Sequence, residues 1–150
     1  MNTNRRRMLA AGASVSLLAL VPLAHGARPT IELWKDPNCG CCAEWVKHVE
    51  ANGFAVNVNN RGNNAARARL GIPAALGSCH TAEVAGYAIE GHVPAADIKR
   101  LLAEKPGAIG IAVPGMPIGS PGMEQGGRRD PYDVLLVAKG GGTRVFQSHR

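Results

Sequence analysis

Asn38-Cys39-Gly40-Cys41-Cys42 places three of the four cysteines of this 150-residue chain within four residues. The stretch follows a short apolar segment and precedes a helical pattern, so it lies where a strand leads into a helix. Cys39 and Cys42 have the CxxC spacing of a redox pair, and Cys41 adds a thiol between them. A helix N-terminus stabilises thiolates, so we expect lowered pKa values here. A thiolate is both the nucleophile of disulfide exchange and a ligand of soft metals, and the stretch therefore supports two chemistries.

The first 26 residues have the pattern of an export signal. Three arginines at 5–7 form a positive start, residues 8–23 are apolar, and residues 24–26 form a small-residue cleavage site apart from the central histidine. The run 4–9 also resembles a twin-arginine signal. The apolar run is short for a membrane span, which needs about 20 residues, although an uncleaved anchor is an alternative. We therefore expect a periplasmic protein whose mature chain does not span a membrane.

Composition argues against a nucleic-acid partner. The formal charge of +6 includes the three arginines of the signal, and the remaining basic residues are scattered along the chain. Aromatic residues make up only 4% of the sequence, and no nucleic-acid-binding motif is present. A chain of this length can bury one core, and we expect a monomer.

Structural disulfides are the usual interpretation of four cysteines in an exported protein. Here that interpretation is weak, because adjacent Cys41 and Cys42 can bridge only through a strained ring. A bridge between Cys39 and Cys42 closes a loop too small to restrict the unfolded chain much.

The order of predicted elements after the signal is β-α-β-(α)-β-β-α. With a cysteine motif after the first strand, this order is typical of an α/β thioredoxin-like domain, predicted over residues 27–107. Its elements are a strand at 31–35, a helix from Cys39 capped by Asn38 with Cys42, Trp45, Val46 and Val49 on one face, a strand at 54–58, a short basic helix at 64–70, hairpin strands at 79–84 and 87–90, and a helix opened by Pro94.

Residues 108–150 form a predicted C-terminal extension that packs on the same domain. Residues 109–113 lead into a loop rich in glycine and proline, which is unsuited to a helix or a central strand. A hairpin follows, with strands at 133–138 and 143–147.

Met116 and Met123 are the only methionines that follow the signal, and each ends a Pro-Gly-Met unit of this loop. Thioether sulfur is a soft neutral ligand that suits Cu(I). Because regular packing does not hold such a loop, we predict a ligand role, with anchoring of the loop as the alternative.

Cys79 begins the third predicted strand, and two registers place it differently. If Pro73 is the cis-proline that guards the site in such folds, Cys79 lies about 20 Å further along the chain. If Cys79 occupies the guarding position, it contacts the cysteine motif, and matched hairpin strands favour this register. A buried inert cysteine is the alternative. His80 should point to the opposite face of the strand, so His80 and His92 are weaker candidate ligands.

Copper fits the predicted donors better than zinc or an iron–sulfur centre. Structural zinc usually takes two separated CxxC pairs, and iron–sulfur ligands are also spaced apart. On a helix Cys41 lies about 200° around from Cys39, which is awkward for one tetrahedral ion but suits thiolates that bridge several ions.

The chain resembles the periplasmic CopG-type copper-resistance proteins, which carry a CxCC motif, from about Ile31 to Phe146. The motifs that carry the resemblance are Lys35-Asp36-Pro37-Asn38-Cys39-Gly40-Cys41-Cys42, Ser78-Cys79-His80-Thr81-Ala82, Gly86-Tyr87, Ile89-Glu90-Gly91-His92-Val93-Pro94 and the Pro-Gly-Met loop. The resemblance implies a thioredoxin-like domain with a metal-binding extension, a thiolate-bridged multicopper site, and interconversion of Cu(I) and Cu(II) alongside copper export.

The resulting hypothesis is a redox-active periplasmic copper protein. Its predicted ligands are Cys39, Cys41, Cys42, Cys79, Met116 and Met123, with His80 and His92 ranked lower. The rival enzyme is a thiol–disulfide oxidoreductase that uses Cys39 and Cys42 without metal. A passive copper carrier or store needs the same ligands as the redox protein, so this alternative also stays open.

Overall fold

The computed structural model describes residues 26–150, which contain seven strands and three α-helices. The predicted export signal lies outside the described residues except for Gly26. The elements in chain order are β1 (Thr30–Lys35), α1 (Gly40–Ala51), β2 (Ala55–Asn59), α2 (Asn64–Arg69), a short 3₁₀ helix (Ala74–Leu76), β3 (His80–Val84), β4 (Tyr87–Glu90), α3 (Ala95–Glu104), β5 (Ala108–Ala112), β6 (Tyr132–Ala138) and β7 (Thr143–His149). Within residues 26–150, no helix has the length and apolar character to cross a membrane.

All seven strands form one sheet in the order β2-β1-β3-β4-β5-β6-β7. β1 pairs in parallel with β2 and β4 with β5, whereas the other neighbours are antiparallel. The prediction of an α/β fold is confirmed, and the element order as far as α3 is the predicted one. This arrangement is compatible with a thioredoxin-like domain.

The extension continues the sheet, and its first strand, β5, was not recognised in the sequence. Gly110 lies opposite Ala88, and a Cβ at this glycine would overlap the Ala88 backbone. Glycine has low strand propensity. The residue that allows this close approach therefore also weakens the strand pattern in the sequence. The hairpin of β6 and β7 lies where it was predicted. The domain boundary at residue 107 stays a prediction.

Helix α1 presents the cysteine motif at its N-terminus and buries the predicted face. Cys42, Trp45 and Val49 are fully buried, and each fully buried large apolar side chain contributes about 1.5–3 kcal/mol. The Trp45 indole N–H donates to the carbonyl of Val93 at 2.9 Å. This packing fixes the start of α1 against the segment between β4 and α3.

The predicted cap of α1 is wrong by one residue. The N-cap is Cys39, and no side chain caps the helix. The Asn38 backbone N–H donates to the Asp36 carboxylate at 2.9 Å, which places Asn38 in a turn before the helix.

Candidate metal centre

Four cysteine sulfurs lie within 4.8 Å of one another at the N-terminus of α1. Cys39 and Cys42 form a disulfide, and Cys41 and Cys79 are free thiols. The Cys41 Sγ lies 3.5 Å from the Cys39 Sγ and 3.8 Å from the Cys79 Sγ. The structure therefore brings together all four cysteines that the sequence nominates.

The helical argument that separated Cys41 from Cys39 is wrong. Cys39 is the N-cap and has extended backbone angles, φ −75° and ψ 98°. Because Cys39 lies outside the helix, the rotation of about 100° per residue does not apply to it. The helical argument against a single tetrahedral ion therefore does not hold.

Cys79 reaches the motif because it lies just before β3. The register pairs His80 with Lys35, the last residue of β1, so Cys79 extends beyond the strand towards the start of α1. The structure thus has the second of the two predicted registers. Pro73 instead precedes the 3₁₀ helix, and residues 26–150 contain no cis peptide bond.

The environment of Cys79 favours the protonated thiol. Burial, followed by the neighbouring Cys41, raises the pKa of Cys79 to about 12. The expectation of lowered thiol pKa values concerned the cysteines of residues 39–42 and does not extend to Cys79, which is partly buried and is not part of the helix. A metal ion must therefore displace a proton from Cys79, which makes binding weaker at low pH.

His92 is oriented towards Cys79. Its Nε2 lies 3.0 Å from the Cys79 Sγ, and its Nδ1 lies 2.8 Å from the carbonyl of Pro121. A carbonyl can only accept, so Nδ1 carries the proton and Nε2 presents its lone pair to the sulfur. Burial lowers the pKa of His92, which favours the neutral ring. This is the usual arrangement around a metal-binding histidine, whose second nitrogen is held by a carbonyl or carboxylate.

His80 also faces Cys79, contrary to the prediction that it points away. Its Nδ1 lies 3.4 Å from the Cys79 Sγ, and its ring packs between Trp45 and His92. Strand alternation fails here because Cys79 precedes the strand. Burial, followed by His92, lowers the pKa of His80 to about 3. Among the described residues, its Nε2 is the only buried side-chain nitrogen or oxygen without a hydrogen-bond partner.

Both Pro-Gly-Met units contact the cysteine site through their backbones. The Ser78 hydroxyl donates to the carbonyl of Gly115 at 2.5 Å, one residue before Cys79. Gly122 lies against α1, where an added Cβ would be 2.7 Å from the Cys41 carbonyl oxygen and 2.8 Å from the Trp45 nitrogen. Gly122 also has a φ of +86°, so this contact requires glycine.

The loop is better held than the sequence suggested. Ser120 is fully buried, and its hydroxyl donates to the carbonyl of Pro117 at 2.7 Å. Hydrogen-bonded turns therefore replace the apolar periodicity that the sequence lacks. The Met116 side chain is 52% exposed, whereas that of Met123 is half-buried.

The donor set of this centre is soft. Cysteine sulfur suits Cu(I) and zinc, and imidazole suits both copper and zinc, whereas hard ions prefer oxygen. Cys79 belongs to both the four-cysteine group and a second group with His80 and His92, whose ligand atoms also lie within 4.8 Å of one another. The centre is consequently a continuous array of sulfur and nitrogen donors that meet at Cys79.

Comparison with known proteins identifies the family to which this chain belongs. Residues 76–123 match a family described as "Protein of unknown function, DUF411", while no curated protein matches the chain. A solved structure of copper resistance protein CopG, form 2, is 47% identical with a TM-score of 0.77, over 82% of this chain and 99% of that one. Form 1 gives the same identity and TM-score over 81% and 98%. The chain belongs to the CopG family of copper resistance proteins.

Proposed function

We propose that this protein acts in the periplasm as a redox-active copper-binding protein of copper resistance. The observation that carries the proposal is the cluster of four cysteine sulfurs within 4.8 Å, which Cys79 joins to His80 and His92. The similarity to proteins named for copper resistance supports copper over zinc as the metal.

The spacing of the sulfurs suits shared metal ions. Two thiolates that bind one ion at about 2.3 Å in tetrahedral geometry lie roughly 3.7 Å apart. Cys41 lies 3.5 Å from Cys39 and 3.8 Å from Cys79, so neighbouring sulfurs have the spacing of ligands to a common ion. Because Cys41 has this spacing to two different sulfurs, it can bridge two ions. Cys39, Cys41, Cys42 and Cys79 are therefore the proposed thiolate ligands of several copper ions.

Nitrogen and thioether donors complete the proposed ligand set. His92 Nε2 is oriented by Pro121 and lies 3.0 Å from the Cys79 Sγ, which makes His92 a stronger candidate than the sequence suggested. Within residues 26–150, His80 Nε2 has no hydrogen-bond partner, which supports His80 as a further proposed ligand. Met116 and Met123 directly follow the two glycines whose backbones contact Ser78 and α1, and this supports both as proposed thioether ligands.

The disulfide gives the site a way to exchange electrons with copper. Oxidation of the Cys39 and Cys42 thiolates to the disulfide releases two electrons, which reduce two Cu(II) ions to two Cu(I) ions. Two external thiols restore both thiolates by supplying two further electrons, and they leave as a disulfide. In the reverse direction the disulfide accepts one electron from each of two Cu(I) ions, which gives two Cu(II) ions and two thiolates, so the couple supports interconversion of Cu(I) and Cu(II). Copper-export components are the proposed partners, and a monomer is the proposed state.

A thiol–disulfide oxidoreductase is the second candidate, and the Cys39–Cys42 disulfide favours it. Cys41 opposes it, because its sulfur lies 3.5 Å from that of Cys39 and can attack the disulfide from within the chain. Such internal exchange would compete with transfer to a substrate.

The experiment that tests the proposal mixes fully reduced protein with Cu(II) under anaerobic conditions. The Cu(I) produced is measured with a Cu(I)-specific chelator, and free thiols are counted in parallel. We expect two Cu(I) ions per disulfide formed, and little Cu(I) from a C39S/C41S/C42S control, which keeps only Cys79 and cannot form a disulfide within the chain. Copper that binds without reduction would identify a passive carrier, and reduced protein that does not bind copper would refute the proposal.

A further inference from the structure

The backbone of Ser78, which precedes Cys79, is held by a buried ion pair. Glu90 on β4 is fully buried, and its Oε1 accepts the Ser78 backbone N–H at 2.7 Å. The same oxygen accepts the Arg67 Nε–H at 2.8 Å, and Oε2 accepts the hydroxyl of Thr81 at 2.5 Å. Both oxygens of the Glu90 carboxylate are therefore committed to fixed partners on α2, on β3 and in the segment before β3.

The other side of Ser78 is held as well. Its carbonyl accepts the Arg67 Nη2–H at 2.6 Å and the Asn63 Nδ2–H at 3.1 Å. Arg67 thus bonds both Glu90 and the Ser78 carbonyl with one rigid guanidinium group. Neither the N–H nor the C=O of Ser78 is free to rotate, and this sets the direction in which the chain presents Cys79.

Gly91 allows the segment that carries Glu90 to pass close to Ser78. It has a φ of +73°, and an added Cβ would lie 2.7 Å from the Ser78 Cβ and 2.5 Å from the Val113 carbonyl oxygen. The backbone N–H of Gly91 also donates to the carbonyl of His80 at 3.0 Å. The segment 90–92 consequently runs beside the segment 78–80. His92 Nε2 lies 3.0 Å from the Cys79 Sγ.

Stability alone is a weak reason for this buried pair. Apolar side chains of similar volume often replace a buried ion pair without loss of stability. Apolar side chains cannot, however, supply hydrogen bonds of fixed direction to charged partners. The distinctive contribution of Glu90 and Arg67 is therefore geometric.

We propose that Glu90 and Arg67 are positioning residues that hold the Cys79 sulfur within reach of both Cys41 and His92. The role in metal binding rests on the proposed function, whereas the role in placing the thiol does not. The two roles therefore need separate measurements.

The test uses the pair R67L/E90L, which removes both charges together and leaves neither unpaired. The matched control is R69L/E83L, which removes an ion pair at 3.1 Å that joins α2 to the neighbouring strand β3 and makes no hydrogen bond to Ser78. The conservative variant E90Q keeps an acceptor oxygen for the Ser78 N–H. Circular dichroism and thermal unfolding identify which variants fold.

The first measurement needs no metal. With the Cys39–Cys42 disulfide intact, the oxidant diamide is added and the rate of the Cys41–Cys79 cross-link is followed by mass spectrometry. The sulfurs lie 3.8 Å apart, so the cross-link should form readily in the wild type. We expect R67L/E90L to cross-link about tenfold more slowly, since it loses charge-assisted hydrogen bonds. The control and E90Q should retain a rate close to that of the wild type.

The second measurement titrates the reduced proteins with Cu(I) and records the thiolate-to-copper charge-transfer spectrum. We expect R67L/E90L to bind Cu(I) more weakly and to resemble C79S, whereas the control resembles the wild type. If the wild type binds no copper, the proposed function fails, and the cross-linking rates still decide the positioning role.

A folded R67L/E90L that cross-links at the wild-type rate overturns the proposal. If R67L/E90L does not fold, R67M/E90M replaces it, because methionine adapts to irregular space. Failure of both pairs to fold also overturns the proposal, in favour of a purely structural role for Glu90 and Arg67.

Discussion

His80 should make the stability of the metal-free protein depend on pH in a way that a substitution can isolate. Its ring is fully buried between Trp45 and His92, and burial lowers the pKa of His80 from 6.5 to about 3. Between these values the unfolded chain binds a proton at His80 and the folded chain does not. The free energy of unfolding therefore falls as the pH drops below about 6.5, and this loss is complete near pH 3.

The magnitude follows from the size of the shift. Each pH unit within this window changes the free energy of unfolding by about 1.4 kcal/mol, so His80 should cost about 3 kcal/mol by pH 4 relative to pH 7. Above the unfolded pKa the His80 contribution is flat. Other groups titrate in the same range. The quantity to compare is therefore the pH-dependent change in the free energy of unfolding of the wild type and of H80Q.

The assay is urea unfolding of both proteins at pH 7, 5.5 and 4, with the Cys39–Cys42 disulfide kept intact. H80Q is expected to start less stable, because it loses ring packing against Trp45, but to lose about 3 kcal/mol less than the wild type between pH 7 and 4. Equal losses in the two proteins would show that His80 becomes protonated in the folded state and would refute the reasoning.

Two further predictions concern the sulfur donors. C41S should lose most of its bound copper if Cys41 bridges ions, as metal analysis will show, whereas unchanged copper content and spectra with retained disulfide exchange would favour the oxidoreductase. M116L/M123L should change the stability of the metal-free protein by less than about 1.5 kcal/mol and should weaken Cu(I) binding in a competition with a chelator. Normal copper binding by a variant that unfolds readily would instead identify Met116 and Met123 as packing residues.

Local sequence pattern predicted the parts of the fold that depend on local periodicity. The face of α1 that carries Cys42, Trp45 and Val49 was identified correctly, because spacing along a helix specifies it. β5 was missed because Gly110 weakens its strand pattern. The continuation of the sheet through β5 to β7 depends on pairing between distant segments, which no local pattern specifies.

The site was less predictable, because its contacts join segments that are far apart in the chain. The sequence nominated Cys79, but the side of the strand that His80 faces could not be derived without knowing that β3 begins after Cys79. The ion pair of Glu90 and Arg67 that holds Ser78 was also missed. One signal was present, since Glu90 directly follows the apolar residues Ala88 and Ile89 at the end of a predicted strand, and a carboxylate buried there requires partners.

The copper content of the fully reduced protein tests the central claim most directly. Protein reduced under anaerobic conditions is titrated with Cu(I) against a competing chelator, and metal per chain is measured by native mass spectrometry and elemental analysis. A parallel sample contains an equal concentration of zinc. Two groups of donors, the four cysteine sulfurs and Cys79 with two imidazoles, share Cys79. Because reduction frees all four sulfurs for metal binding, we expect more than one copper ion per chain and retention of copper over zinc. A single ion per chain, or retention of zinc, would contradict the account.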